Sequence, residues 1–336
     1  MSTTPPPLPP PRSLERLSKF RLKDFLRWAI LGVALVFLAR TLQQHWQEVA
    51  AIRIDQAGWG WLAIAFLITL LAHVWTGWVW GWILRELSQP AVPGWAIRTY
   101  LKTNIAKYLP GNVWHLYGRV QASQTAGFTV GAATLSVLLE PLLMAAAALM
   151  VALAGIRQAN WGIQVISLTL VLVGVSPPIL NPVLRILGKA KASKSSLAPL
   201  TFPSTSAQET APSSTASGAL QLKRYPLCPL LGELVFLLLR GVGFLWIVLA
   251  FQPLQLSQVQ PLLGAFSFAW LLGLVVPGAP GGIGVFEATA IALLQSQLPP
   301  AIILSAVALY RLVSTLAEAI GAGLAWGVER ISLVKS

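Results

Sequence analysis

Six ionisable residues, Glu140, Glu233, Arg240, Glu287, Arg311 and Glu318, lie inside long apolar runs of a 336-residue chain. A charge near the centre of a bilayer costs about 3 kcal/mol on insertion scales, so such groups turn towards a partner or a wet cavity. At 1.5 Å per residue, Glu140, Arg240 and Glu318 each lie roughly 15 Å from one end of their runs, close to the middle of a bilayer. The expectation is a buried polar cluster in which Arg240 pairs with Glu318 or Glu140. Glu233 and Arg311 lie seven residues from Arg240 and Glu318, so each pair shares a helix face. Glu233 falls near the end of its run, where water is within reach.

Two Pro-Gly interruptions carry the second kind of chemistry. In 98–118, RTYLKTNIAKYLPGNVWHLYG, the break is Pro110-Gly111, and Lys102, Lys107 and Arg119 could meet phosphate beside Trp114, His115 and Tyr117 at headgroup depth. In 277–287, PGAPGGIGVFE, glycines permit close approach and positive φ, while prolines stop a helix. A helix starting near Ile283 would offer free N–H groups to an anion. No β-strand precedes it, so a nucleotide-binding loop is excluded. Cys228 stands alone, and His45, His73 and His115 show no metal-ligand spacing, so neither a metal site nor another cofactor is expected.

The elements that must position these groups are membrane helices. Hydrophobic residues make up 55% of the chain, charged residues 10%, and the mean hydropathy is +0.68. Soluble domains carry about 25% charged residues. The net charge of +13 sits at the ends of apolar runs with no basic stripe, which argues against nucleic acid. An apolar run at 28–42 follows a basic flank and reads as an uncleaved first transmembrane helix. The runs 59–84, 130–156, 161–184, 230–251 and 300–327 can each cross a core of roughly 30 Å. The shorter runs 261–276 and 283–298 flank PGAPGG and suit two half-helices of a re-entrant hairpin. The 98–118 segment reads as an interfacial helix or a re-entrant loop. The fold class is therefore an all-α polytopic membrane protein, with about six to eight transmembrane helices and one or two re-entrant segments broken at Pro-Gly.

Charge placement sets the expected topology. Segments 1–27, 85–129, 185–229 and 328–336 hold 19 of the 24 Lys and Arg residues. That asymmetry puts both termini in the cytoplasm, with the protein in the cytoplasmic (inner) membrane. Residues 1–27 form a disordered Pro-rich and basic tail, and 28–184 an N-terminal membrane half. The Ser/Thr/Ala/Pro-rich 185–229 forms a disordered linker, and 230–336 a C-terminal half with the PGAPGG hairpin. Gly77/Gly81 and Gly323/Gly327 suit close helix packing. Tryptophans such as Trp59, Trp61, Trp78 and Trp80 read as membrane-interface anchors.

TNIAKYLPGNVWHLYGRV (103–120), TLSVLLEPLL (134–143) and VVPGAPGGIGVFEATAIALL (275–294) together resemble the lysylphosphatidylglycerol synthase transmembrane (flippase-like) domain family. The resemblance extends from about residue 25 to 330 and keeps the motifs in the family's order. It implies movement of a lipid, or of a lipid-linked anionic headgroup, between leaflets. The family-like positions are Asn104, Lys107, Pro110, Gly111, Arg119, Glu140, Pro280, Gly281, Gly282, Gly284 and Glu287. Asn112 departs from the pattern, where the family often has a glycine. Two-domain members add a soluble aminoacyl-transferring domain, and no segment here is long and polar enough to be one.

The leading functional reading is a lipid or lipid-linked headgroup flippase or transporter. Asn104, Lys107, Arg119, Glu140, Arg240, Glu287, Arg311 and Glu318 are its expected substrate-binding residues, and no catalytic residue is assigned. Its partners are membrane lipids with an anionic headgroup or lipid-linked phosphate. Two alternatives stand beside it. One is an intramembrane transferase using a carboxylate as general base. The other is a non-catalytic membrane partner of a soluble lipid-modifying enzyme, recruited through the linker or the proline tract.

Overall fold

The computed structural model describes residues 53–109, 113–155, 161–179, 181–182, 222, 224–276, 282 and 284–335, with 40, 43, 47 and 50. Outside these lie the proline tract, most of the predicted first helix 28–42, most of the linker, and Pro110, Gly111, Pro280 and Gly281. The described elements are all helical: α1 (Gln56–Glu86), α2 (Pro93–Asn104), a 3₁₀ turn (Ile105–Tyr108), α3 (Trp114–Thr125), α4 (Val130–Gly155), α5 (Trp161–Gly174), α6 (Leu227–Leu249), α7 (Leu256–Val275), α8 (Val285–Leu294) and α9 (Pro300–Lys335).

Five of these are long and apolar enough to cross a membrane: α1, α4, α6, α7 and residues Pro300–Ile331 of α9. The starts follow local chemistry. Asp55 caps α1, its Oδ1 accepting from the Gly58 N–H at 2.6 Å. The expected half-helix at 261–276 is instead the 20-residue α7. It begins in a polar turn, where Gln255 and Gln258 form a reciprocal capping box, and polar residues there hid the start from apolar counting. By contrast α8 has only ten residues, about 15 Å, half the span length. The expected span at 161–184 is broken: α5 stops at Gly174, because Pro177 and Pro178 cannot donate to its helix ladder, and helix resumes at 177–179 and 181–182. The 98–118 segment resolves into α2, the 3₁₀ turn and α3, which fold against α1, α4 and α9.

The two expected halves interleave. α1 runs along α6, α4 packs on both α6 and α7, and α9 lies against α1 and α2. Gly155 of α4 and Gly264 of α7 set the closest crossing, since a Cβ on Gly155 would fall 2.4 Å from the Gly264 Cα. Gly77 and Gly81 seat α2 on α1, with Ala96, Ile97 and Tyr100 facing them. Gly323 and Gly327, expected to do the same, meet nothing within 4 Å. α6 starts at Leu227, within the segment 185–229 expected as linker, and the Leu222 backbone N–H donates to Asn181 Oδ1 at 2.9 Å. Trp80 is fully buried, its Nε1 donating to Ser136 Oγ at 3.2 Å, and so is no interface anchor.

Candidate functional site

One cavity of about 160 Å³ lies where α1, α2, the 3₁₀ turn, α3, α4, α6, α7, α8 and α9 converge. That volume holds several waters or a compact polar headgroup. Six of the eight expected binding residues line it: Asn104, Lys107, Arg119, Glu140, Arg240 and Arg311. Glu287 and Glu318 stand behind the wall, each bonded to a cation that lines it.

Three ion pairs build the wall. Arg119 Nη1 donates to Glu140 Oε2 at 2.5 Å, and its Nη2 reaches Asn104 Oδ1 at 3.4 Å. The guanidinium sits 3.7 Å from the centre of the Tyr100 ring, a cation–π contact that fixes its plane. Glu140 stands one residue before Pro141, which removes a ladder N–H within α4. Lys107 Nζ donates to Glu318 Oε1 at 2.6 Å, tying the 3₁₀ turn to α9. Burial pushes the Lys107 ammonium down from the usual lysine range, against the opposing pull of Glu318. Burial also raises the neighbouring Tyr108 phenol to about 12.

The third pair closes the glycine-rich break. Arg311 Nε donates to Glu287 Oε1 at 2.5 Å, and its Nη2 to the Gly282 carbonyl at 3.0 Å. Glu287 Oε2 accepts from the Gly284 N–H at 2.5 Å. The α8 N-terminus, expected near Ile283 as an open anion site, thus begins at Val285 and is capped by its own carboxylate. Gly282 has φ +73° and Gly284 φ +88°. A Cβ on Gly282 would lie 2.9 Å from the Gly273 Cα of α7, so both conformation and space demand glycine there.

Arg240 corrects the expected pairing. It bonds neither Glu318 nor Glu140; its Nη1 lies 3.3 Å from His73 Nε2. The same nitrogen lies 3.3 Å from Glu318 Oε1. One ring nitrogen either carries a proton and donates to Glu318, or bears a lone pair and accepts from Arg240, never both. The guanidinium also rests 4.8 Å from the centre of the Tyr310 ring. Among the described residues no carboxylate lies within ion-pair distance of Arg240, although it is 6% exposed. Among the described residues its Nε has no hydrogen-bond partner, and neither does the Tyr310 hydroxyl. Glu233, expected to reach water, is instead fully buried, with Thr76 Oγ1 at 3.5 Å from its Oε2.

Sequence reasoning missed His73, Tyr100 and Tyr310. No ionisable-in-apolar signal marks a tyrosine, and His73 showed no motif spacing. Both tyrosines pack beneath an arginine, and Tyr310 belongs to a ring cluster with Phe244, Phe266 and Phe286 that forms a stiff apolar floor.

The helices and their apolar surfaces make this a multi-pass membrane protein. No curated protein matches the chain. Residues 25–321 match the model of the lysylphosphatidylglycerol synthase TM region, and the chain belongs to that family.

Proposed function

We propose that this protein moves a lipid, or a lipid-linked headgroup, bearing a phosphate across the cytoplasmic membrane, with its cavity as the headgroup's polar path. The observation that carries the reading is Arg240: a buried guanidinium that faces the cavity with no carboxylate among the described residues within ion-pair distance. An uncompensated charge inside a membrane bundle is costly, and an incoming phosphate supplies the missing counter-charge in a strong charge-assisted contact. Family membership supports a role in membrane-lipid chemistry. In this reading Lys107, Arg119 and Arg311 supply hydrogen-bond donors on the rest of the wall, and Glu318, Glu140 and Glu287 hold those side chains in place. The concentration of Lys and Arg in 1–27, 85–129, 185–229 and 328–336 supports cytoplasmic termini. In this reading the described residues flanking the two Pro-Gly breaks, Asn104 and Lys107 before one and Gly282 and Glu287 after the other, belong to re-entrant segments.

The test is reconstitution of the full chain into phosphatidylcholine vesicles containing acyl-labelled anionic lipids. Leaflet exchange above protein-free vesicles, reduced by Arg240→Gln, is the expected result. Exchange at the protein-free rate across several anionic lipids overturns the reading.

A further inference from the structure

Resting on that transport reading, we propose that the cavity selects a monoanionic phosphate ester, a phosphodiester headgroup carrying one negative charge, over a dianionic phosphomonoester. The argument is a charge count. Lys107, Arg119 and Arg311 each have a carboxylate, in Glu318, Glu140 and Glu287 respectively. Among the described residues Arg240 has none, and its Nη1 lies 3.3 Å from the imidazole of His73. The wall therefore carries one uncompensated positive charge.

Glu233 does not enter the count. It does not line the cavity, and its Oε1 has no partner. Among the described residues Glu233 has no ion-pair partner, and its hydrogen-bond contact is Thr76 Oγ1 at 3.5 Å, so it stands apart from the cavity wall.

One negative charge on the ligand neutralises Arg240 and leaves the three ion pairs intact. A second needs a cation taken from an existing pair, which strands a buried carboxylate, or it enters a low-dielectric site unpaired. Both routes cost more than a single charge, because Phe286, Tyr310 and Trp270, which line the rest of the cavity, supply no further cation for a second anion. The unpartnered Arg240 Nε and Tyr310 hydroxyl add donors for the oxygens of one phosphate. The geometry sets the number of charges accepted, while leaving the alcohol esterified to the phosphate open.

The experiment compares two acyl-labelled lipids in phosphatidylcholine vesicles holding the full chain. Phosphatidylmethanol bears one charge. Phosphatidic acid bears two above about pH 8, where a phosphomonoester has lost its second proton. Phosphatidylmethanol is expected to exchange about tenfold faster or more. Glu318→Gln frees Lys107 and raises the uncompensated charge by one, so the ratio should fall or invert. Glu287→Gln, which frees Arg311, does the same through an independent pair and covers the case in which one variant fails to fold. Glu233→Gln should leave the ratio unchanged. Water-soluble dimethyl phosphate separates a lipid ligand from a free one: inhibition by it without loss of the lipid preference supports the same site, whereas preferential binding of dimethyl phosphate over the lipid overturns the lipid assignment.

Equal exchange of both lipids by the unmodified chain, or a ratio that neither glutamine variant at Glu318 or Glu287 moves, overturns the charge count while transport stands. Exchange of neither lipid overturns the transport reading, and retention of the two lipids on the purified protein then decides the count. Preference for phosphatidylmethanol upholds it, and equal retention sinks it.

Discussion

The Arg240 guanidinium lies 3.3 Å from Nε2 of His73, and no carboxylate among the described residues comes within ion-pair distance of it. Every other cation on the cavity wall has an acidic partner, so this contact separates a residue available to a ligand from residues that hold the wall together.

Replacing Arg240 by glutamine should divide binding from folding. The substitution removes a buried charge with no counter-ion, so the thermal midpoint in detergent should stay level or rise. Exchange of anionic lipid should fall at the same time. A large drop in the midpoint would show that Arg240 is structural.

Arg119 and Glu140 should behave in the opposite way. Arg119→Gln leaves Glu140 buried beside Tyr100 without its cation, and removing one member of a buried pair costs about 3–5 kcal/mol. Glu140→Gln in the same chain should recover most of that loss. A double-mutant cycle on unfolding in mixed micelles measures the coupling, and additive losses would contradict the pairing.

Gly282→Ala tests the glycine-rich break. At φ +73°, with the Gly273 Cα 2.9 Å from the new methyl, the backbone must shift. A cost of about 1–3 kcal/mol is expected from the strained conformation alone. The Gly282 carbonyl also receives Arg311, so lipid exchange should fall along with stability. Gly323→Ala, where nothing lies within 4 Å, should be close to neutral in the same assay.

The Lys102–Glu329 pair, at 2.7 Å, is the surface counterpart of the buried pairs. Its glutamate is 46% exposed, and exposed ion pairs contribute about 0–1 kcal/mol. Glu329→Gln should therefore leave the thermal midpoint and lipid exchange within error of the unmodified chain.

The sequence by itself determined the solvent, the helical class and which residues had to be reconciled with that solvent. Long apolar runs admit only helices in hydrocarbon, since every backbone polar group must be satisfied within the segment. Charges set in those runs must find partners, which is why Glu140, Arg240 and Arg311 could be named beforehand; Lys107 and Arg119 were marked by the basic segment around Pro110-Gly111 and Asn104 by the family resemblance, and all six line one cavity. Two lengths misled. Polar residues at the start of α7 concealed a full span, and Pro177-Pro178 broke in two the run that apolar counting read as one helix to 184.

Only the tertiary structure decided who pairs with whom. Depth along a helix is legible from its rise per residue, but rotation about the axis and the choice of neighbour depend on how the helices pack. Glu140 thus went to Arg119 rather than Arg240, and Glu318 to Lys107. The pairing left Arg240 beside a histidine that no motif had marked. Pairing energy falls steeply with distance and burial, so displacing a guanidinium by a few ångströms turns a structural ion pair into an open site for an anion.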